Sequence, residues 1–104
     1  MTTARSSPAV APQAVHYRLM LFVAGDEPNS RTARQNLADL CEQQLAGRCD
    51  VEIVDVLEDF AAAARHNVLV TPTLLVVEPA PEIVVVGNLS DRRKVCAALR
   101  LGSE

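Results

Sequence analysis

Between Tyr17 and Ala24 the chain reads YRLMLFVA, a nearly unbroken apolar run of strand length. Such a run predicts a strand covered on both faces, because a half-exposed strand would alternate. Gly25 ends it. A helix is predicted from near Pro28, whose fixed φ suits a first turn and whose missing N–H costs nothing there. Ala33, Leu37, Leu40, Cys41 and Leu45 recur at helical spacing, with Arg34, Gln35, Asp39 and Glu42 between them. Asp26 or Asn29 is expected to cap this helix, and Asp26 with Glu27 lies where the helix dipole favours negative charge. Gly47 is expected to close it.

The second half repeats these signals at shorter range. DVEIVDV, Asp50 to Val56, sets Val51, Ile53 and Asp55 against Glu52, Val54 and Val56, the pattern of a strand with one more polar face at a sheet edge. Glu58 to Asn67 is a short helix by its alanine run. Thr73 to Val77 and Ile83 to Val86 are β-branched strands joined by a proline-bearing hairpin over Glu78 to Glu82. Asn88 or Ser90 is expected to start a last helix that buries Val95, Cys96, Leu99 and, at its margin, Ala98. The order is βαβαββα. The first crossover puts strands one and two parallel, and the hairpin adds an antiparallel pair, giving an α/β fold with a four-stranded mixed sheet.

The chain has 104 residues and carries a net charge of −3, with 49% hydrophobic and 22% charged residues. That is one domain with a single core, and aromatics at 3% leave the core to Val, Leu, Ile and Ala. The acidic balance argues against nucleic acid, since Arg92, Arg93 and Lys94 form the only basic run and no aromatic interleaves them. No stretch reaches membrane-spanning length. The first fourteen residues, interrupted by Pro8 and Pro12, lack the apolar segment of a secretory signal. The expected organisation is a disordered tail over 1–15 and one domain over 16–102. Cys41, Cys49 and Cys96 are odd in number and fit no metal-ligand spacing, which fits a reducing, cytoplasmic setting. Small buried apolar residues is the reading preferred for all three, and a Cys41–Cys49 disulfide stays open. His16 and His66 stand apart from any second ligand, so no metal and no cofactor are expected. Asp55, Glu58 and Asp59 read as helix-capping and solvated carboxylates rather than acid–base groups.

VTPTLLVV, Val70 to Val77, resembles the segment of thioredoxin-like proteins in which a Thr-Pro bond is cis, and the resemblance implies a structural cis-proline at Thr71–Pro72. In redox members that bond faces a cysteine pair at the start of the first helix. Here the equivalent turn reads AGDEPNS. Thiol exchange requires a thiolate, so thiol oxidoreductase chemistry has no nucleophile at this site.

Three longer stretches account for the bare turn. LFVAGDEPNSRTARQNL, VEIVDVLEDFAAAARHNVLVTPTL and VVGNLSDRRKV resemble the KaiB family of the bacterial circadian clock, over roughly Tyr17 to Leu101. The resemblance implies a thioredoxin-like protein without catalytic residues that works by binding. The implied partner is a KaiC-type ATPase, with KaiA and a competing histidine kinase as further participants. It also implies metamorphism: the C-terminal half can adopt a second, KaiB ground-state arrangement that forms tetramers, so a homo-oligomer belongs to the expectation. Ala61 to Ala64 favour helix, whereas LLVV and IVVV favour strand. Summed propensities favour the thioredoxin-like form by about 1–3 kcal/mol.

Two partner-binding surfaces are expected. One is the turn Asp26, Glu27, Pro28, Asn29 and Ser30 with Arg31 and Arg34, beside Thr71–Pro72. The other is the edge strand with Glu52 and Val54, whose backbone can pair with a partner strand. The rival readings are a KaiB-like stress-response or two-component signalling adaptor, and a glutathione-binding thioredoxin-like enzyme using Ser30.

Overall fold

In the computed structural model, residues 16–45 and 48–99 are described. The expected tail over 1–15, the closing role of Gly47 and the last residues of the 16–102 domain lie outside them. Four strands and three helices follow in the order β1 (Tyr17–Val23), α1 (Pro28–Gln43), β2 (Cys49–Asp55), α2 (Phe60–Arg65), β3 (Thr73–Glu78), β4 (Ile83–Val86) and α3 (Arg92–Ala98). The sheet runs β2-β1-β3-β4, with β1 parallel to β2 and antiparallel to β3, and β3 antiparallel to β4. It is the predicted four-stranded mixed sheet, with β2 and β4 at its edges.

Because β1 is central, its alternate side chains go to opposite layers. Leu19, Leu21 and Val23 join Ala33, Leu37 and Leu40 of α1 and Val95 of α3, with Leu99 just beyond α3, in the larger core. Phe22 joins Val54, Leu75 and the α2 alanines Ala62 and Ala63 in the smaller one. One face therefore carries two helices and the other a six-residue helix. Among the described residues, no helix is long and apolar enough to cross a membrane.

The helix ends depart from expectation in instructive ways. Glu27, rather than Asp26 or Asn29, caps α1: its carboxylate accepts from the Ser30 N–H at 3.1 Å. Pro28 occupies the first helical position, which makes residue 27 the cap. α3 starts after Asp91, not at Asn88 or Ser90. The Asn88 side-chain oxygen already accepts from the Ser90 N–H and hydroxyl, and Leu89 sits at φ +68. Asp91 takes the cap by accepting from the Lys94 N–H. α1 ends at Gln43, so Leu45 is fully buried from the turn that follows rather than from the helix.

Candidate functional site

The turn between β1 and α1 is closed by its own hydrogen bonds. The Ala24 N–H donates to the Ser30 hydroxyl oxygen at 3.0 Å, and the Gly25 N–H to the Asp55 carboxylate at 3.1 Å. The same Asp55 oxygen accepts from the Leu57 N–H at 3.0 Å. Asp55 can reach both because it stands opposite Val23 in the β1–β2 register. The end of the edge strand thus holds the turn. Gly25 has φ +53, a conformation an L side chain rarely adopts, and a Cβ there would come within 3.3 Å of the Leu57 side chain. Arg34 reaches back from α1 to donate to the Gly25 carbonyl at 3.3 Å, while its buried Nε has no partner.

What remains outside is a short polar ridge. Asp26, Glu27, Pro28, Asn29 and Arg31 are exposed, and Arg34 is half-buried. Asn29 accepts from the Asn88 side-chain amide at 3.3 Å, and Asn36 donates to the Asn88 carbonyl at 2.8 Å. Next along the chain, the Gly87 N–H donates to the Pro72 carbonyl at 2.9 Å. The Thr71–Pro72 bond is cis and Pro72 is buried. The turn and the cis-proline segment are therefore linked through Gly87 and Asn88.

Two expected binding residues have buried side chains. Ser30 is fully buried, with its hydroxyl committed to the Ala24 N–H, and Val54 is 5% exposed in the Phe22 layer. Neither side chain is exposed on the surface of this form. The reason for Val54 is parity: β1 pairs Phe22 with Val54, so both point to the α2 face. Glu52 is exposed on the outer strand, beside a shallow cavity of about 240 Å³ bounded by Arg18, Met20, Asp50 and Val51. The two expected surfaces are not brought together as side chains; Asp55 is the residue that joins them. The sequence placed Asp55 only at a strand end; its reach to the Gly25 turn comes from the β1–β2 register, which the sequence does not show.

One further feature escaped sequence reading, and one that it left open is decided here as a pair of free thiols. An apolar hollow of about 330 Å³ lies among Val68, Leu69, Val70, Leu75, Val84 and Val86. Its signal was HNVLV, an apolar run with neither helical nor strand periodicity. Cys41 and Cys49, both free and half-buried, are in hydrogen-bond contact. Burial first, then that hydrogen bond and the Cys49 charge, push the Cys41 thiol up to about 12. The spacing of the two cysteines across the helix–strand turn hinted at this neighbourhood without deciding it. Among the described residues, no group of three histidine, cysteine or acidic side chains is placed to hold a metal ion.

A turn of this sequence, lacking thiols on a four-stranded sheet with a cis Thr-Pro, narrows the choice of family. A KaiB domain model matches residues 20–101. This chain belongs to the KaiB family. It is 38% identical to the circadian clock oscillator protein KaiB of Trichodesmium erythraeum over 92 residues, 88% of each chain. Over 85 residues it is 40% identical to the circadian clock oscillator protein KaiB1 of Synechocystis, covering 82% of this chain and 81% of that one. Solved structures place the fold. The N-terminal domain of Synechococcus elongatus SasA superposes with TM-score 0.66 at 18% identity, over 100% of this chain and 97% of that one. Fasciola hepatica thioredoxin superposes with TM-score 0.68 at 17% identity, over 88% and 86%. The chain therefore has a thioredoxin-like fold, and the low identities to these structures carry the fold alone.

Proposed function

We propose that this KaiB-family chain is a non-enzymatic, cytoplasmic regulator that docks on a KaiC-type ATPase and modulates its phosphorylation and ATPase cycle. The observation that carries this reading is the turn itself. Every inward-facing group from Ala24 to Ser30 named above is taken up inside the protein, while Asp26, Glu27, Pro28, Asn29 and Arg31 face outward. Such a ridge recognises by shape and charge. It has no thiol to react, and the Ser30 hydroxyl is buried and bonded to the Ala24 N–H. The exposed side of β2, with Glu52, offers a second contact through backbone pairing. KaiA and a histidine kinase that competes for the same ATPase complete the set of partners. The thioredoxin-like form is the docking form, and the helix-favouring Ala61–Ala64 with the strand-favouring LLVV and IVVV supports its dominance in the free protein.

The test is to mix the protein with a KaiC-type ATPase from the same genome, in ATP and in ADP, and follow co-migration on a sizing column. Co-migration that weakens on Arg31→Glu or Asp26→Arg is the expected result. Absence of co-migration in both nucleotide states would overturn the reading and favour the signalling adaptor. A thermal shift with glutathione would favour the enzyme.

A further inference from the structure

At the end of β1 opposite the Gly25 turn lies a pair of nucleophilic side chains. Cys41 and Cys49 are free, half-buried and in hydrogen-bond contact. Two separate features of the fold bring them together. On α1, Ala33, Leu37 and Cys41 form one i, i+4 row, which faces the sheet because Ala33 and Leu37 belong to the larger core. On β2, Cys49 stands opposite Tyr17 in the parallel register, and Tyr17 belongs to the same core, so Cys49 turns to the two-helix face. Both cysteines pack against that core. We propose that Cys41 and Cys49 form a redox site, at which a hydroperoxide converts the thiol pair reversibly into an intramolecular disulfide.

The contact gives the two sulfurs different roles. Burial, and then the hydrogen bond and charge of Cys49, keep the Cys41 thiol protonated up to about 12, so its S–H donates to the Cys49 sulfur. A thiolate at Cys49 accepts that bond, and the thiolate is the nucleophilic form. In the first step the Cys49 thiolate attacks one peroxide oxygen. An S–O bond forms, the O–O bond breaks, and the leaving oxyanion takes a proton from solvent, giving a sulfenic acid at Cys49. In the second step the Cys41 sulfur attacks the Cys49 sulfur. The S–S bond forms, the S–O bond breaks, and hydroxide leaves with the Cys41 proton as water. The two thiols lose two electrons and the peroxide oxygens gain them. With hydrogen peroxide, two thiols and one peroxide become one disulfide and two waters.

The placement suits a bridge that forms and opens. Disulfide sulfurs lie about 2.0 Å apart, closer than any thiol hydrogen bond, so closure draws the two elements together. Cys41 lies in the last turn of α1, which ends at Gln43, and Cys49 is the first residue of β2. Ends of elements shift at lower cost than their middles. Disulfides of reducing compartments are of this transient, redox-sensing kind. Because burial keeps Cys41 protonated, ring closure is the slower step and the sulfenic acid at Cys49 builds up first. This site stands apart from ATPase docking, and its test involves no ATPase.

The test treats the full chain with hydrogen peroxide, blocks the remaining thiols in denaturant and maps the peptides without reductant. Free thiols should fall from three to one as two enter the bridge, with Cys41 linked to Cys49 and Cys96 still free. Dithiothreitol should restore all three. Cys41→Ser should trap the sulfenic acid, read as several-fold more dimedone adduct at Cys49 than in the wild type. Cys49→Ser should leave Cys41 unoxidised at the same dose, and Cys96→Ser should form the bridge as the wild type does. The wild-type map stands whether or not a variant folds. A wild type that keeps all three thiols at a dose that oxidises free glutathione overturns the proposal. So does a bridge to Cys96, a bridge between two chains, or a dimedone adduct on Cys41 in place of Cys49.

Discussion

The two faces of one sheet are built to different standards. Over the first, α1 and α3 lie across Leu19, Leu21, Val23, Leu74 and Val76, and all five side chains are essentially out of water. Over the second, α2 is only six residues long and alanine-rich, and it shelters little beyond Phe22, Val54 and Leu75. Where it stops, Leu69 is 93% exposed and β4 shows Val84 and Val86 to solvent. A helix of alanines can approach a sheet closely, but it cannot spread over four strands. The difference teaches a division of labour: the two-helix face holds the fold, and the thin face leaves apolar surface available for contact.

Core truncation tests that division most strongly. Leu37→Ala removes a fully packed side chain beneath α1 and is expected to cost about 2–5 kcal/mol in urea unfolding. Val86→Ala on the thin face should stay within about 0.5 kcal/mol. Equal losses in the two variants would erase the distinction between the faces.

A smaller effect is expected where the two-helix face meets the turn. Ser30→Ala deletes the acceptor for the Ala24 N–H in a buried position, and the orphaned donor should cost about 1–3 kcal/mol in thermal or chemical denaturation. Co-migration with the ATPase should survive at temperatures where the variant is folded, because Ser30 does not reach the surface. Smaller again is Tyr17→Phe. The Tyr17 hydroxyl donates to the Leu99 carbonyl at 2.7 Å, fastening the end of α3 to β1. Its loss should cost about 0.5–1.5 kcal/mol.

How much of this could be read from the chain depends on how local each cause is. The continuous run in β1, the β-branched LLVV and IVVV and the alanine run of α2 fix their own elements, and β4 is found at the expected Ile83–Val86. Pro28 likewise marked the start of α1. The misread points turn on competition between neighbours. Asn88 looked like a helix cap, but its side chain is spent on Ser90 and the chain reverses at Leu89. Ser30 looked exposed in a polar turn, yet the first turn of α1 swings it under Ala24. Val54 looked available on an edge strand, yet register with Phe22 turns it inward. The outward ridge was legible because polar turn residues declare themselves. The hollow was not, because it forms only when the segment before Pro72 crosses in front of β4.

An effect confined to alkaline pH lies at the rim of the two-helix face, where Cys41 at the end of α1 meets Cys49 at the start of β2. An unfolded chain frees the Cys41 thiol to ionise near its ordinary 9.0, whereas the folded protein holds it to about 12, chiefly by burial and then by the Cys49 contact. A group whose folded pKa is raised contributes stability that is complete below the lower value. That contribution is lost as pH climbs from about 9 toward about 12. Stability measured by denaturant titration should therefore fall more steeply over that window in the wild type than in Cys41→Ala. Cys49→Ala separates the causes. It removes the hydrogen bond and the charge but leaves burial, so its slope should be intermediate and nearer the wild type. A Cys49→Ala slope matching Cys41→Ala would make the thiol pair, rather than the packing of the two-helix face, the source of the effect.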